Sequence, residues 1–168
     1  PDLPARLSDR AHEMSEDRIQ MLMNAMLDVD PFEPVEARID ARNAALRADF
    51  LQEFEVLSSA DIHHRAGLKG ANTSQTVNGW RLKGRVLGLP VQGKIGYPAF
   101  QFDADGQPIK LMAGILAALP EHYSPWQRAF WMVSPKDALD GGTPLDALRS
   151  ADQRVLDAAR SADQMVAG

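Results

Sequence analysis

The sequence predicts a mainly α fold: a helix-turn-helix-like middle region with a short β-hairpin wing, followed by a compact bundle of short helices. Two observations predict the helices. Apolar residues recur at helical spacing over most of the chain, and Ser/Thr-Pro pairs stand where short helices would start. A third predicts the wing. Between Val86 and Phe102 the residue types turn to Gly, Pro, aromatic and β-branched, the composition of short strands and turns.

The first element begins at Ser15, where Ile19, Leu22, Met23, Met26 and Leu27 share one helical face. Residues 1–14 show no clear period and read as a frayed arm. After Asp30, Pro31 and Pro34, a longer helix is expected from Val35 to Leu57, with Ile39, Leu46, Phe50, Phe54 and Leu57 turned inward. These 57 residues form an N-terminal helical arm.

The segment 58–106 follows. Between 58 and 101 it carries Arg65, Lys69, Arg81, Lys83, Arg85 and Lys94 against the single acid Asp61, within a chain of net charge −5. Such a concentration of cations suits a polyanion, because Lys and Arg that neutralise phosphates supply most sequence-independent nucleic-acid affinity. A solvated face would carry the same charges. Ser58 is placed to cap a helix that Gly67 stops, with Asp61 in its first turn and Ile62 and Ala66 inward. A second helix, Thr73 to Lys83, sets Val77 and Trp80 inward and ends at Gly84. This pair reads equally as a helix-turn-helix and as a plain helical hairpin. Under the first reading Ser74, Gln75, Asn78, Arg81, Lys83 and Arg85 face DNA. The wing is expected as Val86–Leu89 and Lys94–Tyr97 around Pro90-Val91-Gln92-Gly93, with Phe100–Phe102 alternating and Pro98 confining its strand to an edge or an irregular stretch.

The last part, 107–168, is helical. Ile109, Leu111, Met112, Ile115, Leu116 and Leu119 surround a helix that must be buried on nearly all sides. Ser124-Pro125, Ser134-Pro135 and Thr143-Pro144 then announce three short helix starts, each with an acid or amide two residues past the Pro. Gly141-Gly142 closes the middle one, and a final helix spans Ala151 to Val166. Trp126, Ala129, Phe130 and Val133 form one core-facing stripe, whereas Trp131 lies on a second face, where core packing is the first reading and a partner anchor the second.

Several chemistries find no support. Gly88 to Lys94 matches seven positions of a phosphate-binding P-loop, but Ile95 lacks the hydroxyl that holds Mg²⁺ and no helix follows. Adjacent His63 and His64 point apart on a helix, and zero cysteines exclude thiolate zinc and disulfides. Asp103-x-Asp105-Gly lacks the closing Glu of a calcium loop. No Gly-x-Ser-x-Gly elbow is present. The expectation is a protein that is not an enzyme and needs no cofactor or metal. No apolar run approaches the roughly 20 residues of a membrane span, which with the missing cysteines suggests the cytoplasm and no membrane partner.

Trp80-x-x-x-Gly84, Tyr97-Pro98-Ala99-Phe100-Gln101-Phe102-Asp103, Trp126, Trp131, Ser134-Pro135, Leu139, Gly141-Gly142-x-Pro144 and Leu148 together resemble the Xre/MbcA/ParS antitoxins over roughly 58–160. The resemblance implies the antitoxin of a type II toxin-antitoxin module, partnered with a RES-domain toxin that consumes NAD by degrading it or transferring ADP-ribose. It implies a homodimer within a larger complex and, in many members, binding to promoter DNA and transcription regulation. Toxin contacts are then expected at Trp131, Ser134, Pro135, Leu139, Gly141, Gly142, Pro144 and Leu148, with Met165, Val166, Ala167 and Gly168 at the toxin's active-site mouth. A stand-alone DNA-binding regulator is the alternative.

Overall fold

The computed structural model describes residues 35–165, with side chains from 37 to 164. The helix expected from Ser15, the arm 1–14 and the tail 166–168 lie outside the described residues. In order, the elements are α1 (Val35–Glu53), β1 (Val56–Leu57), α2 (Ser59–Arg65), α3 (Gln75–Leu82), β2 (Leu89–Val91), β3 (Lys94–Pro98), a 3-10 turn (Ala99–Gln101), α4 (Lys110–Ala118), α5 (Pro125–Val133), a 3-10 turn (Asp137–Leu139), α6 (Pro144–Ser150), α7 (Arg154–Arg160) and a final 3-10 turn (Ala162–Met165). The fold is mainly α with a small antiparallel sheet.

The chain divides at Leu46 into two units. The described part of the first is the start of α1, on which Ile39 and Leu46 are exposed rather than inward. The second runs from Arg47 and includes both the middle region and the C-terminal helices. One core joins them: Leu87 and Leu89 pack in the same cluster as Met112, Ile115, Met132 and Val155 from α4, α5 and α7. Phe50 joins that cluster, edge-on to Trp126 at 5.5 Å and to Phe130 at 6.1 Å. A smaller cluster of Leu57, Ile62, Val77, Trp80, Val86 and Tyr97 holds α2 and α3 to the sheet.

α1 ends at Glu53, short of the expected Leu57, because Val56 and Leu57 are drawn into a strand. They pair with Pro98 and Tyr97, making the sheet order β1-β3-β2. Pro98 therefore ends the central strand instead of marking an edge. The β2–β3 register, Leu89 to Gly96 and Val91 to Lys94, closes through the two-residue turn Gln92-Gly93. Both turn residues have positive φ, 50° and 77°, the twist that matches a hairpin, and Gly93 adopts it without steric cost. Carried two residues further, that register sets Leu87 beside Pro98, which has no N–H to give. The Gln101 side chain supplies the missing strand instead. Its Oε1 accepts from the Leu87 N–H at 2.6 Å and its Nε2 donates to the Leu87 carbonyl at 2.8 Å, in a fully buried site. This geometry turns 99–101 into a 3-10 bend, where alternation had suggested a strand.

Gly106, at φ 71°, is buried against α2, and a Cβ there would meet the Ala66 nitrogen at 2.8 Å. Only glycine allows that approach. At the other end, Arg128 of α5 closes the turn after α4 by donating to the carbonyls of Leu116, Glu121 and Tyr123.

Two of the three Ser/Thr-Pro starts form full capping boxes: Ser124 with Gln127 at the head of α5, and Thr143 with Asp146 at the head of α6. The third does not. Ser134 is the C-cap that follows α5, its hydroxyl donating back to the Phe130 carbonyl at 2.6 Å, and the helix after it is a single 3-10 turn. The final helix is also shorter than expected. Ala151 adopts a left-handed conformation that ends α6, so α7 starts only at Arg154. Among the described residues no helix is long and apolar enough to cross a membrane.

Candidate functional site

Two surfaces carry the residues that the sequence singles out. The first is formed by α2, α3 and the hairpin. Ser58 and Asp61 cap α2 reciprocally at 3.0 and 3.1 Å, and the Ser58 N–H beside Asp61 holds its carboxyl below the usual range. α3 starts differently. The Ser74 hydroxyl and N–H both donate to the Asn72 side chain, so no side chain caps the first turn of α3 and no acid sits there. Ser74 and Gln75 are exposed at that start, and with Ser58, Thr73 and Lys94 they border an open groove of about 890 Å³. Lys94 belongs to this group, although the sequence reading placed it only in the basic segment and not among the DNA contacts.

Of the six residues expected to face DNA, Ser74, Gln75, Lys83 and Arg85 are exposed. Arg85 lies over the Trp80 ring at 5.7 Å. Asn78 and Arg81 are half-buried and bonded to each other. The loop between α2 and α3, Ala66 to Ser74, is longer than the three or four residues of a compact helix-turn-helix. Within α2, His64 is exposed, while His63 is half-buried with a buried, unpartnered Nε2. Among the described residues no cluster of His, Asp and Glu is placed to hold a metal.

The second surface surrounds the loop 136–142. Lys136 N–H donates to the Gly142 carbonyl and Gly141 N–H to the Lys136 carbonyl, each at 3.0 Å, which closes the loop on itself. Arg154 then ties it down, bonding Asp140 at 2.9 Å and Asp152 at 2.8 Å. These bonds push the Asp152 pKa down and that of Arg154 up. Arg160 pairs with Asp157 at 2.6 Å, so both arginines of α7 are committed within the chain. Arg149 is exposed and has no acidic partner among the described residues.

The residues expected to touch a toxin separate by depth. Pro135 and Gly141 are exposed, and Ser134 and Gly142 half-buried. Trp131, Leu139, Pro144 and Leu148 are core residues. Trp131 is 7% exposed, with Lys136 over its ring at 5.4 Å, and burial lowers the Lys136 pKa. Its spacing on α5 put it on a second face; that face is covered by the 136–142 loop and α7, with a small recess of about 130 Å³ left between Trp131, Lys136, Ala158 and Ala162. The chain end leaves from this side. His122 meets Asp163 at 3.4 Å, and burial raises the pKa of neighbouring Tyr123. Met165 closes the last described turn, while Val166, Ala167 and Gly168 lie outside the described residues.

Comparison with protein-family models, with curated proteins and with solved structures gave no match for this chain.

Proposed function

We propose that this chain is the antitoxin of a type II toxin-antitoxin module, and that its C-terminal helices bind and sterically block a RES-domain toxin that consumes NAD. The observation that supports this reading is the Arg154 clamp. It ties the loop 136–142 to the turn at 151–152, at the stretch whose residues carry the antitoxin resemblance. A surface ordered before binding loses less conformational entropy when a partner docks. Arg149, exposed at the end of α6 and without an acidic partner among the described residues, offers the charge for a partner's acids, while buried Trp131, Leu139, Pro144 and Leu148 shape the surface from beneath.

NAD consumption by the cognate RES protein, titrated with this chain, tests the proposal. Inhibition at near-equimolar protein is expected, and Arg149→Glu is expected to weaken it where Arg160→Glu does not. Removing 166–168 tests the tail as the blocking element and leaves buried Ala162 in place. Inhibition unchanged by that deletion assigns blocking to the helical surface alone. Absence of any inhibition refutes the antitoxin reading.

A second reading, DNA binding by α2, α3 and the hairpin, is favoured by the uncapped start of α3 with exposed Ser74 and Gln75 beside Lys94. A gel-shift series in salt tests it. Lys83→Ala and Arg85→Ala should each lower the salt slope by about one if those cations meet phosphates.

A further inference from the structure

Between the approach to the hairpin and α4 lies a cleft of about 390 Å³, within the size range of small-molecule sites. Three cations line it, Arg81, Lys83 and Arg128, and no carboxylate among the described residues does. Arg81 is placed there by Gly88 and by the Asn78 side chain. Its stem crosses Gly88, where a Cβ would lie 2.6 Å from the Arg81 Cδ, and its Nη2 is held by Asn78. Its Nε is buried and has no hydrogen-bond partner.

Arg128 is oriented by three main-chain carbonyls, which satisfy donors without neutralising the charge. Neither arginine forms an ion pair among the described residues. Two half-buried guanidinium groups thus share one cleft with no counter-charge among the described residues, and an anion there would supply it. The guanidinium fork matches phosphate oxygens in geometry as well as in sign. The remaining wall, from Leu116, Ala117 and Pro125, is apolar.

We propose that this cleft binds a small phosphate ester, with the phosphate between Arg81 and Arg128 and the organic part against the α4 wall. A nucleic acid would need its phosphates met by cations standing outward, as Arg85 does; Arg81 and Arg128 are instead half-buried in a recess. The site is independent of the toxin-binding surface.

Isothermal titration calorimetry of the full chain with adenosine monophosphate, with inorganic phosphate and with a short oligonucleotide, at matched ionic strength, tests the proposal. Adenosine monophosphate is expected to bind, with Arg81→Gln weakening it about tenfold or more, as loss of a charge-assisted hydrogen bond requires. Ala117→Glu, on an exposed position of α4 at the rim, is expected to weaken it likewise without touching the core. Lys69→Gln, away from the cleft, should not. The proposal fails if neither small phosphate binds, if both cleft variants bind as the parent does, or if the oligonucleotide alone binds.

Discussion

The middle region and the C-terminal helices use charge in opposite ways. In the C-terminal part Arg154 and Arg160 are spent on Asp140, Asp152 and Asp157, holding loops and helix ends in place. In the middle region Arg65 pairs with Glu55, but Lys69, Arg81, Lys83, Arg85 and Lys94 have no acidic partner among the described residues. Arginines committed internally build a surface. Cations left without partners are free to meet an anion brought from outside, and on that difference rest the two kinds of recognition proposed for the two regions.

The contrast breaks most sharply at Trp131. As a core residue, Trp131→Ala should cost roughly 3–5 kcal/mol in urea unfolding. The exposed Leu82 of α3, at 71%, should tolerate alanine within about 0.5 kcal/mol. A Trp131 variant of parental stability would return that side chain to the surface and revive it as a direct partner anchor. The middle region has its own keystone in Gln101. Gln101→Leu leaves the Leu87 N–H and carbonyl buried without partners, a loss of roughly 2–4 kcal/mol. Since Leu87 also packs in the core of the C-terminal helices, that loss should appear in one unfolding transition shared by both regions.

The capping devices sharpen the comparison at smaller scale. Thr143→Ala removes a capping box and should cost about 1 kcal/mol. Ser134→Ala, despite the same Ser-Pro context in sequence, should cost less than about 0.5 kcal/mol, because the Ser134 side chain caps no helix start and only donates to Phe130. Thermal melts of the two variants decide it.

That pair also shows what the sequence can tell. Local devices were legible: the Ser58–Asp61 and Ser124–Gln127 caps, the inward Val77 and Trp80, and the apolar girth of α4 follow from spacing alone. Non-local ones were not. Nothing near Val56 announces that it leaves helical geometry to pair with Pro98, about forty residues on. Gln101 looks like an outward polar residue of a strand until Pro98 leaves Leu87 without a partner. Ser134-Pro135 copies a helix start because capping chemistry is local, whereas closure of the 136–142 loop depends on Gly142 returning to Lys136. For the candidate sites, residue type identified the basic surface, yet burial decided that Arg81 turns into a cleft and Trp131 into the core.

The smallest expected effect is the dependence of stability on pH, and it again separates the regions by cause. Asp61 in the middle region is held low by the Ser58 N–H, and Asp152 in the C-terminal region by the Arg154 guanidinium. A carboxyl with a folded pKa below its unfolded value adds stability that is complete above the unfolded value, near pH 4, and is lost as pH falls through the folded one. Unfolding midpoints should therefore drop below about pH 4, and Asp61→Asn and Asp152→Asn should each flatten the drop. Raised salt distinguishes them. The Asp152–Arg154 pair is exposed and screened, so its share of the pH dependence should shrink in salt, whereas the share from Asp61, resting first on a backbone hydrogen bond, should persist. Equal salt sensitivity of the two variants would mean that charge pairing, and not the cap, holds Asp61 low.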